Sequence, residues 1–380
     1  MGFDQLPNPP KSNIWLPLFL SIAVVLGILI GYNLQPQAFI SLAAGDGDNV
    51  RIVERKSFGK SKLDEVLRYI DGKYVEEVDS EKIMEDAIDL ILDELDPHSN
   101  YIPKDELVGV NESLDGQFVG VGIEFDIIED TIVVLQVVEE GPSDEAGMKP
   151  GDRIVSVGDS TVAGIGIETG DVGKLLKGKL GTKVSVNVKR FAENKSIPLE
   201  IRRGKIPINS IEPAIKINDK TGYIKIKRFS STTYGEFIEE MDKLELMGIE
   251  DLVIDVRGNP GGYLQEATRI LNQLIPKRDA LLVYTEGKSS KKKTYKTKGG
   301  LKYELDDIAI LIDESSASAS EILAGVLQDW DRAIVVGRRS YGKGLVQEQY
   351  DLSDGAALRL TIAKYYIKSG RLIQKSYKDK

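Results

Sequence analysis

Asp251-Leu-Val-Ile-Asp-Val256 runs straight into Arg257-Gly-Asn-Pro-Gly-Gly262 and then into a helical stretch reaching Leu274. A short, nearly unbroken apolar run bounded by glycine predicts a buried strand. A glycine turn between such a strand and a helix presents backbone N–H groups at a helix N-terminus, where negative charge is favoured. The pattern then repeats. Asp307-Ile-Ala-Ile-Leu-Ile312 enters Asp313-Glu-Ser-Ser-Ala-Ser-Ala-Ser-Glu-Ile322 and a helix to about Trp330, and Ala333-Ile-Val-Val-Gly337 leads to Tyr341-Gly-Lys-Gly-Leu-Val-Gln347. Strands alternating with helices across residues 204–380 predict an α/β domain.

The turns carry chemistry-bearing residues. The N–H groups of the first could cradle a phosphate, but it lacks both the Walker Lys-Ser/Thr pair and Gly-x-Gly-x-x-Gly spacing; a developing oxyanion is the other candidate. In the second, small residues let a serine hydroxyl stand at a helix start beside backbone donors, as a nucleophile requires. An N-cap serine among alanines is the plainer reading, and these residues alone favour it. Lys343 lies between two glycines, ordinarily a solvated loop tip, yet its loop runs into apolar residues that can desolvate the amine. A lysine acting as a base near neutrality must fall by about 3 units from ~10.4, at roughly 4 kcal/mol, which burial can supply. Gln347 is placed to hold a neutral amine by a side-chain hydrogen bond.

Composition narrows the chemistry further. The chain has 380 residues, 60 Asp plus Glu against 50 Lys plus Arg, no cysteine and one histidine. A net charge of −10 disfavours nucleic acid as partner. Without cysteine there is no disulfide, thiolate metal site or cysteine nucleophile. With His98 alone, a hydrolase here is expected to use another base, and His98 itself sits in a turn composition, Asp96-Pro-His-Ser-Asn-Tyr101.

Upstream, residues 113–203 hold short β-rich runs such as Ile132-Val-Val-Leu-Gln-Val-Val138 and the alternating Val184, Val186 and Val188. Gly120-Val-Gly-Ile123 precedes a strand, where N–H groups can converge on an anion, and Gly141-Pro-Ser-Asp-Glu-Ala-Gly-Met-Lys-Pro-Gly-Asp152 follows. Together these resemble a PDZ domain. The resemblance implies that Gly120, Val121, Gly122 and Ile123 form a carboxylate-binding loop that captures an extended peptide C-terminus by strand addition. Residues 50–112 read as a small helical region, with Ile83, Met84, Ala87, Ile88, Ile91, Leu92 and Leu95 forming one apolar stripe. Residues 14–34 are mostly apolar and uncharged, long enough for a transmembrane anchor behind a short cytoplasmic tail, 1–13, with Trp15 and Tyr32 near its ends. Ser41-Leu-Ala43 offers a cleavage site, the alternative being a long signal peptide. The expected place is membrane-anchored, with the body extracytoplasmic.

Across about residues 50–375 the motifs Asp255-Val-Arg-Gly-Asn-Pro-Gly-Gly262, Ser316-Ala-Ser-Ala-Ser-Glu321 and Tyr341-Gly-Lys-Gly-Leu-Val-Gln347 resemble the carboxyl-terminal processing peptidases. The resemblance implies an α+β multidomain protein: transmembrane helix, helical region, β-barrel-like PDZ domain (113–203) and a crotonase-like, ClpP-like α/β catalytic domain (204–380). It implies Ser318 as nucleophile, Lys343 as general base and Gln347 as the residue orienting it. The backbone N–H of Ala319 and one from Gly261 or Gly262 would form the oxyanion hole, with no metal or cofactor. Ser315, Ser316 and Ser320 would cap or pack. Substrates would be proteins with exposed C-terminal tails, and an oligomer is possible. Lys177, where relatives often carry arginine, would join the loop in peptide binding; relatives also continue past the strand matching 362–367, so a short form or a fragment with an uncovered sheet edge is expected. A catalytically silent, membrane-tethered PDZ module and a crotonase-like acyl-thioester enzyme stay as competing readings. The seven lysines from Lys288 to Lys302 predict a solvated hairpin or loop, with anionic lipid headgroups the alternative partner.

Overall fold

The computed structural model describes residues 60–376 except 192 and 194, together with Val25. The chain divides into two units, residues 1–77 and 78–380. In the first, helix α1 (Lys60–Lys73) is described.

The second unit opens with α2 (Ser80–Asp93), capped by the Asp79 carboxylate, which accepts from Lys82 N at 3.0 Å. Of the expected stripe, Leu92 is buried while Ile91 and Leu95 stand exposed. Strand β1 (Asn100–Ile102) and α3 (Lys104–Asp115) follow.

Next come β2 (Gln117–Gly120), β3 (Ile123–Ile127), β4 (Ile132–Val137), the short α4 (Pro142–Glu145), β5 (Arg153–Val157), β6 (Ser160–Thr161), α5 (Thr169–Leu176), β7 (Lys183–Lys189), β8 (Ser196–Arg202) and β9 (Gly204–Pro207). Strands β3-β4-β5-β7-β8 form an antiparallel sheet with β6 on β5, and β2 pairs separately with β9. Alternation in β7 sends Val184, Val186 and Val188 inward, where they meet Ile132, Ile154, Ile201 and Val172 of α5 in a core of their own. In this sheet β3 is an edge strand, bonded to β4 on one side only.

The remaining elements are β10 (Ile211–Lys216), β11 (Thr221–Ile226), α6 (Thr233–Leu246), β12 (Asp251–Asp255), α7 (Leu264–Leu274), β13 (Leu281–Glu286), β14 (Lys293–Lys296), β15 (Ile308–Ile312), α8 (Ala319–Asp329), β16 (Ile334–Gly337), β17 (Leu345–Asp351) and β18 (Ala357–Ile367). One sheet runs β10-β11-β12-β15-β16, with β11, β12, β15 and β16 parallel. Parallel strands need crossover helices, and α7 serves as one: Ala267, Ile270, Leu271 and Leu274 recur on one face and are all buried. A second sheet, β1-β18-β13-β14 with β17 on β18, is antiparallel. The lysine-rich stretch contributes β14, hairpinned to β13, with the Lys292 amine 3.9 Å above the Tyr284 ring.

Two parts of the expected fold class are corrected. The sheet carrying both strand-to-helix turns is largely parallel, so the architecture is mixed α/β multidomain rather than α+β. The transmembrane helix is also withdrawn: among the described residues no helix is long and apolar enough to cross a membrane, and 14–34 lies outside them apart from Val25.

Candidate active site

Ser318 immediately precedes α8 with φ +53° and ψ −111°. A non-glycine residue at positive φ is strained by roughly 1–3 kcal/mol and persists only where its surroundings hold it. Here Ser318 N donates to Glu321 Oε2 at 2.9 Å, Ser318 O accepts from Ile322 N at 3.0 Å, and the preceding Ala317 N donates to Asn259 O at 3.0 Å. Asn259 is fully buried in the first glycine turn; it also takes the Ser320 hydroxyl on its carbonyl at 3.0 Å and donates its own amide to Ile226 O at 2.9 Å. The two strand-to-helix turns are thereby bonded together. Ser316 donates its hydroxyl to Val256 O at 2.8 Å.

Gly261 and Gly262 differ in what they can offer. A Cβ on Gly261, at φ +99°, would stand 2.8 Å from Ser318 Cβ and 3.0 Å from Ala319 N, so this turn packs directly against the serine. Its own N–H is engaged, donating to Asn259 Oδ1 at 2.8 Å. Gly262, at φ +138°, lies against Phe229, and its N–H and that of Ala319 are without a hydrogen-bond partner among the described residues. Of the two glycines expected to donate to an oxyanion, Gly262 is the one with a donor to spare.

Lys343 reaches the same place from the β16–β17 connection. Its amine donates to Gln347 Oε1 at 2.5 Å, and Gln347 Nε2 donates to the His98 carbonyl at 2.5 Å. Among the described residues no hydrogen bond joins the amine to the Ser318 hydroxyl. Burial pushes the amine below the ordinary lysine range; the Arg359 guanidinium pushes the same way, and the Asp96 and Glu321 carboxylates oppose. The flanking glycines are explained by close approach: Lys375 N donates to Gly342 O at 2.8 Å, and a Cβ on Gly344 would meet Gln374 N at 2.5 Å.

Two residues that motif reading left without a role join serine to lysine. The buried Glu321 carboxylate accepts from Ser318 N, from Lys343 N at 2.8 Å, from Gly342 N at 2.7 Å and from the Ser340 hydroxyl at 2.8 Å. The buried Tyr365 hydroxyl lies against the Lys343 carbonyl and, at 3.2 Å, the Ser318 carbonyl. A glutamate three residues into a helix is a capping-box signal that sequence reading could have flagged. Nothing in the sequence around Tyr365 sets it apart.

In the antiparallel domain, Val121 O accepts from Ser143 N and Gly122 O from Val138 N, both at 3.0 Å. The N–H groups of Val121 and Gly122 have no partner among the described residues, beside the open edge of β3 that starts at Ile123. Gly120 pairs with Gly204. Lys177, at the end of α5, sends its amine to Glu112 Oε2 of α3 at 2.6 Å, 4.7 Å above the Phe118 ring.

The family model for peptidase family S41 matches residues 220–378, and that for the PDZ domain matches residues 119–201. The carboxy-terminal processing protease CtpB of Bacillus subtilis (strain 168) is 34% identical over 356 residues, covering 92% of this chain and 72% of that protein. A probable CtpA-like serine protease of Staphylococcus aureus (strain COL) is 35% identical over 376 residues, covering 97% and 73%. Among solved structures, a photosystem II D1 C-terminal processing protease aligns with TM-score 0.45 and 28% identity over 83% of this chain and 84% of that one. Similarity above 30% identity along nearly the whole chain places this protein in peptidase family S41, as a carboxy-terminal processing serine protease with a PDZ domain.

Proposed function

We propose that Ser318 is the nucleophile and Lys343 the general base of an acyl-transfer peptidase, and that the PDZ domain selects substrates by their C-terminal tails. The observation that carries the reading is the half-buried Lys343 amine, bonded to Gln347 Oε1, on a residue whose backbone is tied through Glu321 and Tyr365 to the backbone of Ser318. A neutral amine that donates one N–H to Gln347 keeps its lone pair for a proton.

In the forward step the Ser318 hydroxyl attacks the scissile carbonyl and its proton passes to Lys343 Nζ. The oxyanion takes hydrogen bonds from Ala319 N–H and Gly262 N–H, groups already in place and without other partners among the described residues. The C–N bond breaks, the ammonium returns the proton to the leaving amine, and water then releases the acyl-enzyme by the same proton route. For recognition, Val121 and Gly122 N–H groups receive the tail carboxylate, and the tail adds as a strand to β3.

The test compares wild type with Ser318→Ala and Lys343→Ala on a peptide with an apolar free C-terminus. Loss of cleavage with retained binding in both variants supports the reading. Equal cleavage by all three defeats it, and binding without cleavage by any, wild type included, leaves only a peptide-binding module.

A further inference from the structure

We infer that the turn Asp96–Ser99, which joins α2 to β1, positions the general base by fixing which end of the Gln347 amide faces Lys343. The inference rests on the assignment of Lys343 as base. A carboxamide has two nearly isosteric ends, one accepting and one donating. With Oε1 toward the amine, Gln347 takes an N–H and leaves the nitrogen lone pair free. Flipped, its NH2 group would donate to that lone pair and compete with the serine proton. The His98 carbonyl decides between them, because a carbonyl only accepts: by taking Nε2 at 2.5 Å it holds Oε1 toward Lys343.

That carbonyl is itself fixed. Asp96 Oδ1 accepts from His98 N and Ser99 N, each at 2.9 Å, and Oδ2 from the Ser99 hydroxyl at 2.8 Å. The turn is then pinned to β18, where Thr361 N donates to Ser99 Oγ at 3.1 Å and the Thr361 hydroxyl to Asp96 Oδ1 at 3.2 Å. Thr361 is the ladder partner of Gln347, and the β17–β18 register slips between Val346 and Gln347. The extra residue is Ile362, so the bulge lies on β18, the strand that the turn holds. The turn therefore grips both the amide and the strand opposite it. Asp96 and His98 act through Gln347, as positioning residues.

Asp96 also carries charge, and so do the other groups facing the amine, Arg359 of β18 and Glu321 of α8. The two roles separate by experiment. Removing a nearby carboxylate as charge moves the acidic limb of the activity profile to lower pH and leaves the plateau intact. Removing the turn's anchor lowers the plateau itself. With the full chain and the same free-tail peptide, Asp96→Asn is expected to reduce plateau kcat about tenfold, with KM changed by less than about twofold. In a Gln347→Ala background it should cause almost no further loss. Should Asp96→Asn fail to unfold cooperatively, Ser99→Ala takes its place in the same cycle, with a smaller loss expected in the wild-type background and none in Gln347→Ala. Losses that multiply across the cycle, or a pH shift with an unchanged plateau, overturn the positioning role. An active Lys343→Ala variant removes the base assignment and this inference with it, whereas an inactive one combined with multiplying losses removes the inference alone.

Discussion

Replacing Gly261 with alanine tests the contact between the glycine turn and the serine. At φ +99° the added Cβ would stand 2.7 Å from Ala317 O, 2.8 Å from Ser318 Cβ and 3.0 Å from Ala319 N. Two of these are backbone atoms that cannot rotate away, and the third belongs to the proposed nucleophile. Relief requires the two turns to separate, which displaces Gly262 N–H from Ala319 N–H. Loss of one of the proposed oxyanion donors is expected to lower kcat by roughly 100- to 1,000-fold, and strain at this φ adds about 1–3 kcal/mol against folding. At about 2–4 °C per kcal/mol for a domain of this size, the melting temperature should fall by roughly 2–12 °C. The assay is steady-state cleavage of a free-tail peptide together with calorimetry and peptide binding. Retention of a third or more of wild-type kcat in a folded Gly261→Ala variant would refute the argument that this turn and the serine are packed as one unit.

Arg359→Gln should move the acidic limb of kcat/KM to higher pH. The guanidinium pushes Lys343 down, so its loss lets the amine hold its proton further up the scale, and pH titration of peptide cleavage reads the shift. Tyr365→Phe takes a hydroxyl from between the Ser318 and Lys343 carbonyls; leaving buried acceptors short should cost about 1–3 kcal/mol of stability, measured by denaturant titration, and lower kcat. Lys177→Ala should leave Glu112 without its ion pair and weaken binding of a free-acid tail more than of its amide, as fluorescence anisotropy would show. Equal weakening for both tails would remove Lys177 from carboxylate recognition.

The two strand-to-helix turns, the glycines beside the serine and the Gly-Lys-Gly loop were legible because each is a local pattern with a local physical reason. What links them was not. Glu321 reaches Lys343 across 22 positions, and Gln347 meets His98 across 249, so neither contact leaves a periodicity to read. Gly261 and Gly262 look equivalent in the sequence; only the Asn259 side chain, folded back onto one of them, separates their roles. The parallel order of β11, β12, β15 and β16 likewise depends on pairing between strands whose individual runs read the same in either direction. His98 illustrates the limit most plainly, since its contribution to the site passes through a backbone carbonyl that any residue type carries.

The Glu321 carboxylate gathers donors from the Ser318 turn and from residues 340–343 onto one pair of oxygens. A chain whose lysine segment has yet to dock would therefore also lack part of what holds its serine in an unfavourable backbone conformation. Half-assembled protein is expected to be inert rather than weakly active, a useful property in an enzyme whose substrate is the same polymer it is made of.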